Sequence, residues 1–356
     1  MADDELELEE EQEEETVSVN YDIATYPSDF TLAGIAQMWK DEDIKIPDYQ
    51  REYVWSIRQA SLLIDSFLCG LPVPPVFFYI DESNKNLVID GQQRILTIIF
   101  FFEGYFGKES TQGKRQVFRL TGLDSKSPHY NKRFVDLDER NQRKLKQAVL
   151  RAVNIRQLSP TGESTSAYHI FERLNTGGTP LKPQEIRNCV FRGDFNKALR
   201  SANKDVNWRK ILGKTYIDKH QKDVELLLRV FALTTATSEY EKPMKEFLNQ
   251  IMKRNDSGTS KEVTKFFENF PKVTQAVVEQ MGNKPFHLRG PLNVSALDSV
   301  MCVLIKNHRK SGAIDLKKIY AKLLRDDLFQ EYTSVNTTDT KTVEDRIAVV
   351  QSHFAP

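Results

Sequence analysis

The hydrophobic period of this chain changes once, close to residue 196, and that change divides what its two halves can become. Upstream, the β-prone runs 44–47, 76–80 and 87–90 are interleaved with residues 31–40, 56–69 and 92–105, which place apolar side chains three and four apart. Downstream the strand-like runs vanish, and 224–236, 244–253, 261–281, 296–308, 316–329 and 343–354 all carry helical spacing. The pattern predicts an α+β domain over residues 21–195 and an all-helical domain over 196–356. A chain of 356 residues suffices for two domains of ~100–200 residues each.

Local punctuation sharpens the first half. Ser56 is placed to N-cap a helix that Gly70 stops, and Leu71-Pro72-Val73-Pro74-Pro75 is held extended by its prolines. Residues 81–86 are polar and read as the turn of a hairpin, whose second strand ends at Gly91. Near the far end, Thr342 followed by Asp345 resembles a capping box for the last helix.

The formal charge balances at 50 basic against 50 acidic residues, but the distribution is uneven. Ten Asp and Glu and no Lys or Arg fall within residues 1–20, which read as a disordered acidic tail; the remaining 40 acids leave the rest of the chain at +10. The excess peaks over 108–156, where thirteen Lys and Arg face five acids. Such a stretch is either a solvated helical face or a surface for a nucleic-acid backbone. The longest strongly apolar run, residues 95–102, is eight residues against the ~20 of a membrane-spanning helix, so no membrane association is expected. Cys69, Cys189 and Cys302 form no C-x-x-C pair, and an acidic N-terminus is no secretory signal; reduced thiols and a cytoplasmic location are the expectation.

Three stretches carry candidate chemistry. In Val88-Ile89-Asp90-Gly91-Gln92-Gln93-Arg94 a strand turns through glycine into a helix, which aims backbone N–H groups at an anion. Arg94 suits phosphate oxygens, Gln92 and Gln93 suit phosphate, ribose or base, and Asp90 suits a hydrated metal ion. The same letters also spell an ordinary Asp-Gly turn followed by a solvated arginine. Around Ile46-Pro47-Asp48-Tyr49-Gln50-Arg51, Tyr49 offers a stacking face beside Gln50 and Arg51, whereas Tyr53 and Trp55 read as core. In Phe171-Glu172-Arg173-Leu174-Asn175-Thr176-Gly177-Gly178, the glycines and Thr176 permit a backbone nest, and Glu172 with Asn175 supplies oxygen ligands of the kind Mg²⁺ takes; a plain helix-ending turn, with Thr179-Pro180 opening the next helix, is the other reading. No G-x-S-x-G elbow, Walker loop, H-E-x-x-H or regular Cys/His spacing is present, and the six His are scattered, His169 reading as a surface or core residue.

In this order, IPDYQREYVW, LIDSFLCGLPVPP, VIDGQQR and FERLNTGGTPLKPQEIRN resemble the domain of unknown function 262 family, the N-terminal module of GmrSD-type, modification-dependent restriction systems of phage defence. More distantly the same blocks are similar to the three boxes of the ParB/sulfiredoxin fold, which surround a nucleotide's phosphates and its Mg²⁺. The resemblance implies a ParB/sulfiredoxin-like N-terminal domain holding a nucleoside triphosphate. By that resemblance Gln50 and Arg51 would face the nucleotide, Gly91 to Arg94 the phosphates, and Glu172 or Asn175 the metal; residue chemistry adds Tyr49 and the Thr176-Gly177-Gly178 turn to the nucleotide site, with Asp90 and Arg94 as the expected catalytic residues. Leu96 departs from the family, which often has a hydroxyl residue there, and no His-containing nuclease block follows residue 197. The implied function is an NTP-binding and hydrolysing regulatory subunit of a DNA-directed defence system, acting on modified or unmodified DNA with a separate nuclease subunit. The alternative is a non-enzymatic DNA-binding or protein-interaction module.

Overall fold

The hairpin expected around residues 81–86 forms: β3 (Val76–Ile80) and β4 (Asn86–Asp90) pair antiparallel, with Phe78 opposite Val88. In this computed structural model the described residues are 6, 8, 22–46, 53–81, 83–107, 115–159, 165–174, 182–308 and 315–354. They fall into two units, one of Asn20–Gly162 with His169–Pro180, the other of Met1–Val19, Glu163–Tyr168 and Leu181–Pro356.

The first unit is α+β. Its five-stranded mixed sheet runs β1-β7-β3-β4-β2, with β1 (Asp22–Thr31) antiparallel to β7 (Val149–Ser159), β7 parallel to β3, and β2 (Ile44–Lys45) parallel to β4. β1 and β7 carry no strand signal in the sequence. β1 is an edge strand, largely polar and exposed with Pro27 inside it, where no alternation is required. The buried face of β7 is Leu150, Ala152 and Asn154, too small and too polar to register as a hydrophobic stripe. Four helices complete the core: α1 (Leu32–Lys40), α2 (Ile57–Cys69), α3 (Gln92–Glu103) and α4 (Glu139–Gln147). Ile35, Ile64, Phe67, Ile95, Ile98 and Leu145 pack with Val76, Phe78, Val88 and Leu150 of the sheet. α2 follows its punctuation closely. Ser56 Oγ accepts from Gln59 N, Gln59 Oε1 accepts from Ser56 N, and Gly70 closes the helix at φ 76°.

The second unit is helical among its described residues. The helices Lys222–Ala236 and Val294–Lys306 are buried along most of their length, the first with Asp223 and Arg229 inside. Inside, Asp298 accepts from Arg229 Nε at 2.6 Å and from Arg346 Nη2 at 3.3 Å. Three expectations change here. The run 316–329 is two helices, Leu316–Leu323 and Asp327–Tyr332, because Asp326 accepts from Phe329 N and starts a new helix. The last helix begins at Thr340, which puts Thr342 inside its first turn and removes the capping box. The helix expected after Thr179-Pro180 begins instead at Pro183, and Glu185 Oε2 accepts from Lys182 N at 2.7 Å. Of the acidic segment, the described Leu6 is buried on this unit; its N–H donates to Asp218 Oδ2 at 2.7 Å and Leu8 bridges to Leu292. No described helix is long and apolar enough to cross a membrane.

Candidate functional site

The junction of β4 and α3 is shaped by a residue that has to be glycine. Gly91 sits at φ +100°, which an L side chain rarely adopts, and a Cβ there would lie 2.3 Å from Val76 Cγ1. With glycine as N-cap, no side chain caps the first turn of α3, so the positive helix end is not closed by a side chain of its own cap.

Arg94 is not the solvated arginine of the bland reading. Its Nη2 donates to Asp90 Oδ2 at 2.7 Å and to the Pro75 carbonyl at 3.1 Å, and its side chain is 16% exposed. Its Nε is buried without a hydrogen-bond partner. The guanidinium therefore braces the end of the Pro-rich segment against the turn. An unsatisfied buried donor on a cation is costly, of order 1–3 kcal/mol, and is the kind of exception found where a ligand completes the set. Asp90 is 44% exposed, and only its Oδ2 is engaged by Arg94.

Gln93 has a structural task within the fold. Its Oε1 accepts from Val54 N at 3.0 Å and from Trp55 N at 3.2 Å, which ties the segment after residues 47–52 to the start of α3. Tyr53 reinforces the tie. Its hydroxyl lies 2.7 Å from Thr97 Oγ1, its ring meets Phe100 and Phe106 edge-on, and burial pushes its phenol up to about 12. Trp55 packs on the same core. Both aromatics are thus structural, as their apolar setting in the sequence suggests.

Glu172 lies on α5 (Ser166–Leu174), 3.7 Å from His169 Nδ1 one turn earlier. Tyr49, Gln50, Arg51, Asn175, Thr176, Gly177 and Gly178 lie outside the described residues. The turn residues 90–94 and the segment 53–55 are therefore brought together by the fold. The sequence alone did not reveal Pro75 or Val54 as partners, because a backbone donor or acceptor leaves no mark on residue type. The Asp90–Arg94 pair joins the last residue of β4 to the first turn of α3.

The basic stretch 108–156 is neither one helical face nor one uniform patch. Among its described residues only 139–147 form an α-helix, while Arg151 and Arg156 lie on β7. Arg119 and Arg133 converge on Asp136, whose carboxyl the Arg133 hydrogen bond holds well below the usual range. Arg115 pairs with Glu103, Arg143 with Glu139 and Arg151 with Asp29, so two acids from outside the stretch join the balance. Lys126, Lys132 and Arg140 are exposed and form no ion pair among the described residues.

Comparison with known proteins adds one result: residues 35–192 match the family model described as GmrSD restriction endonuclease, N-terminal domain. The match spans all four sequence blocks and the whole β4–α3 junction. No curated protein and no solved structure matches the chain.

Proposed function

We propose that this chain, whose residues 35–192 are a GmrSD-type N-terminal domain, is the nucleoside-triphosphate-binding and hydrolysing regulatory subunit of a DNA-directed, restriction-type phage-defence system, with strand cleavage left to a separate nuclease subunit. The observation that carries the reading is the Arg94 guanidinium, held beside an uncapped helix start with its Nε buried and unpartnered. A phosphate chain there would meet backbone N–H groups of the first α3 turn and a cation already placed at its edge. Gln93 positions Val54 and Trp55, close in sequence to Tyr49, Gln50 and Arg51, which would face the nucleotide. The exposed half of Asp90 fits Mg²⁺, with Glu172 and Asn175 as further oxygen donors; the ion would neutralise phosphate charge. Phosphoryl transfer asks a protein mainly for such positioning and charge, so the lack of a strong nucleophile is no obstacle. The sequence order of the three boxes supports a ParB/sulfiredoxin-like N-terminal unit.

A second reading, a non-enzymatic DNA-binding or protein-interaction module, is supported by the exposed Lys126, Lys132 and Arg140, which form no ion pair among the described residues. Titration of the full chain with fluorescent ATP and GTP analogues in Mg²⁺ separates the two. Saturable binding is expected, weakened about tenfold or more in Arg94→Lys, because a forked, charge-assisted contact is lost while the charge remains. Absence of binding to either nucleotide, or equal affinity in a folded Arg94→Lys, overturns the assignment. DNA retardation without nucleotide dependence would then favour the module.

A further inference from the structure

Away from the β4–α3 turn, a second group of chemically distinct side chains converges. Asp65 and Cys69 stand one helical turn apart at the end of α2, and His129 reaches them from the loop between β6 (Gln116–Val117) and α4, 64 residues from Asp65 in sequence. His129 Nδ1 lies 2.7 Å from Asp65 Oδ1, and Cys69 Sγ lies 3.7 Å from Asp65 Oδ2. One ligand atom from each residue falls within 4.8 Å of the other two. His129 is buried at 7% exposure, Asp65 is half-buried and Cys69 is exposed.

We propose that Asp65, Cys69 and His129 form a binding site for a thiophilic divalent cation of the zinc class, with three protein ligands and a solvent-facing fourth position. The donor set decides the class of ion. A thiolate, an imidazole nitrogen and a carboxylate oxygen suit Zn²⁺ or Co²⁺, whereas Mg²⁺ and Ca²⁺ take oxygen alone. Bond lengths of about 2.0–2.3 Å in a tetrahedron put ligand atoms roughly 3.3–3.6 Å apart, so the present spacings need shifts of order 1 Å or less. Such shifts are within reach of two side chains on the last turn of a helix. The loop is already anchored for the purpose, since Thr121 N donates to Ser61 Oγ at 2.9 Å on the same helix. Burial and the Asp65 carboxylate push the Cys69 thiol up, with Lys144 opposing them, so the ion itself would have to displace the thiol proton. The ion would join α2 to this loop. Neither Asp90 nor Glu172 takes part, so the site stands independently of nucleotide binding.

The test is a Co²⁺ titration of the full chain, read by absorption. Wild type is expected to show a thiolate-to-cobalt charge-transfer band and the intense visible bands of tetrahedral Co²⁺, displaced by Zn²⁺. Cys69→Ser, at an exposed position, should keep its melting temperature, lose the charge-transfer band and bind more than about tenfold more weakly. Zn²⁺ should also slow alkylation of Cys69 in wild type. Weak octahedral cobalt spectra in wild type, or bands unchanged in Cys69→Ser, overturn the assignment.

Discussion

Replacing Gly91 by alanine asks whether the β4–α3 turn is dictated by space as well as by backbone angle, and Gly70 provides the control. Both glycines have positive φ, +100° at Gly91 and +76° at Gly70. Holding an L residue in that half of the map costs ~1–2 kcal/mol, which is the whole expected effect of Gly70→Ala, where an added Cβ meets nothing within 4 Å. At Gly91 the new methyl lies 2.3 Å from Val76 Cγ1 and 2.8 Å from Val76 Cβ, so rotating the valine cannot clear it. Val76 is fully buried on β3, and forcing a methyl into such a core adds about 1–3 kcal/mol. Gly91→Ala should therefore destabilise by roughly 2–5 kcal/mol against ~1–2 kcal/mol for Gly70→Ala. Urea unfolding followed by tryptophan fluorescence reads the difference, since Trp39 and Trp55 both report from this unit. Pairing Gly91→Ala with Val76→Ala should restore part of the loss, a non-additivity expected only if the two positions collide. Equal costs at Gly91 and Gly70, or strict additivity with Val76→Ala, would refute the steric argument.

Two further perturbations follow from the charges. Asp136 has a depressed folded-state pKa, so its contribution to stability is present above the ordinary carboxylate pKa and is lost as pH falls through and below about 4. Asp136→Asn should flatten that acid limb in pH-dependent unfolding, and an unchanged slope would show that Arg119 and Arg133 do not act through it. Asp298→Ala leaves Arg229 and Arg346 buried without their shared carboxylate and should cost about 3–5 kcal/mol in denaturant, whereas Glu139→Ala, removing an exposed pair with Arg143, should cost under ~0.5 kcal/mol. Similar costs at the two sites would contradict the burial argument.

The fold was legible where local chemistry and burial agree. Ser56 and Gly70 bound α2 because capping is a short-range interaction written in adjacent residues, and the β3–β4 hairpin announces itself by two apolar runs around a polar turn. β1 and β7 pair with each other across more than a hundred residues, with Thr31 opposite Val149, and neither carries the alternation that a half-buried strand usually shows. Long-range pairing supplied what the pattern lacked. The single helix expected over 316–329 failed for the opposite reason: the apolar spacing does continue through Leu323, Leu324 and Phe329, but Asp326 captures the N–H of Phe329 and restarts the helix.

At the candidate site the residue types were informative and their duties were not. Asp-Gly-Gln-Gln-Arg reads as four polar side chains available to a ligand, yet Gln93 spends its carbonyl on two backbone N–H groups 38 and 39 positions away, and Arg94 braces a proline carbonyl 19 positions away. Both partners are backbone atoms, which any sequence could supply, so only the fold reveals them. This changes what the motif would contribute to an anion. Glycine shapes the turn, Gln93 holds the neighbouring segment, and Arg94 is fixed in place before any ligand arrives. In the proposed phosphate site, the helix start and a guanidinium whose position is already set would face the anion. Preorganisation of that kind lowers the ordering cost of binding, because the side chain with most rotamer freedom is held by Asp90 and Pro75 in advance. It also explains why Arg94→Lys, which keeps the charge and gives up the brace, is the more searching substitution at this turn.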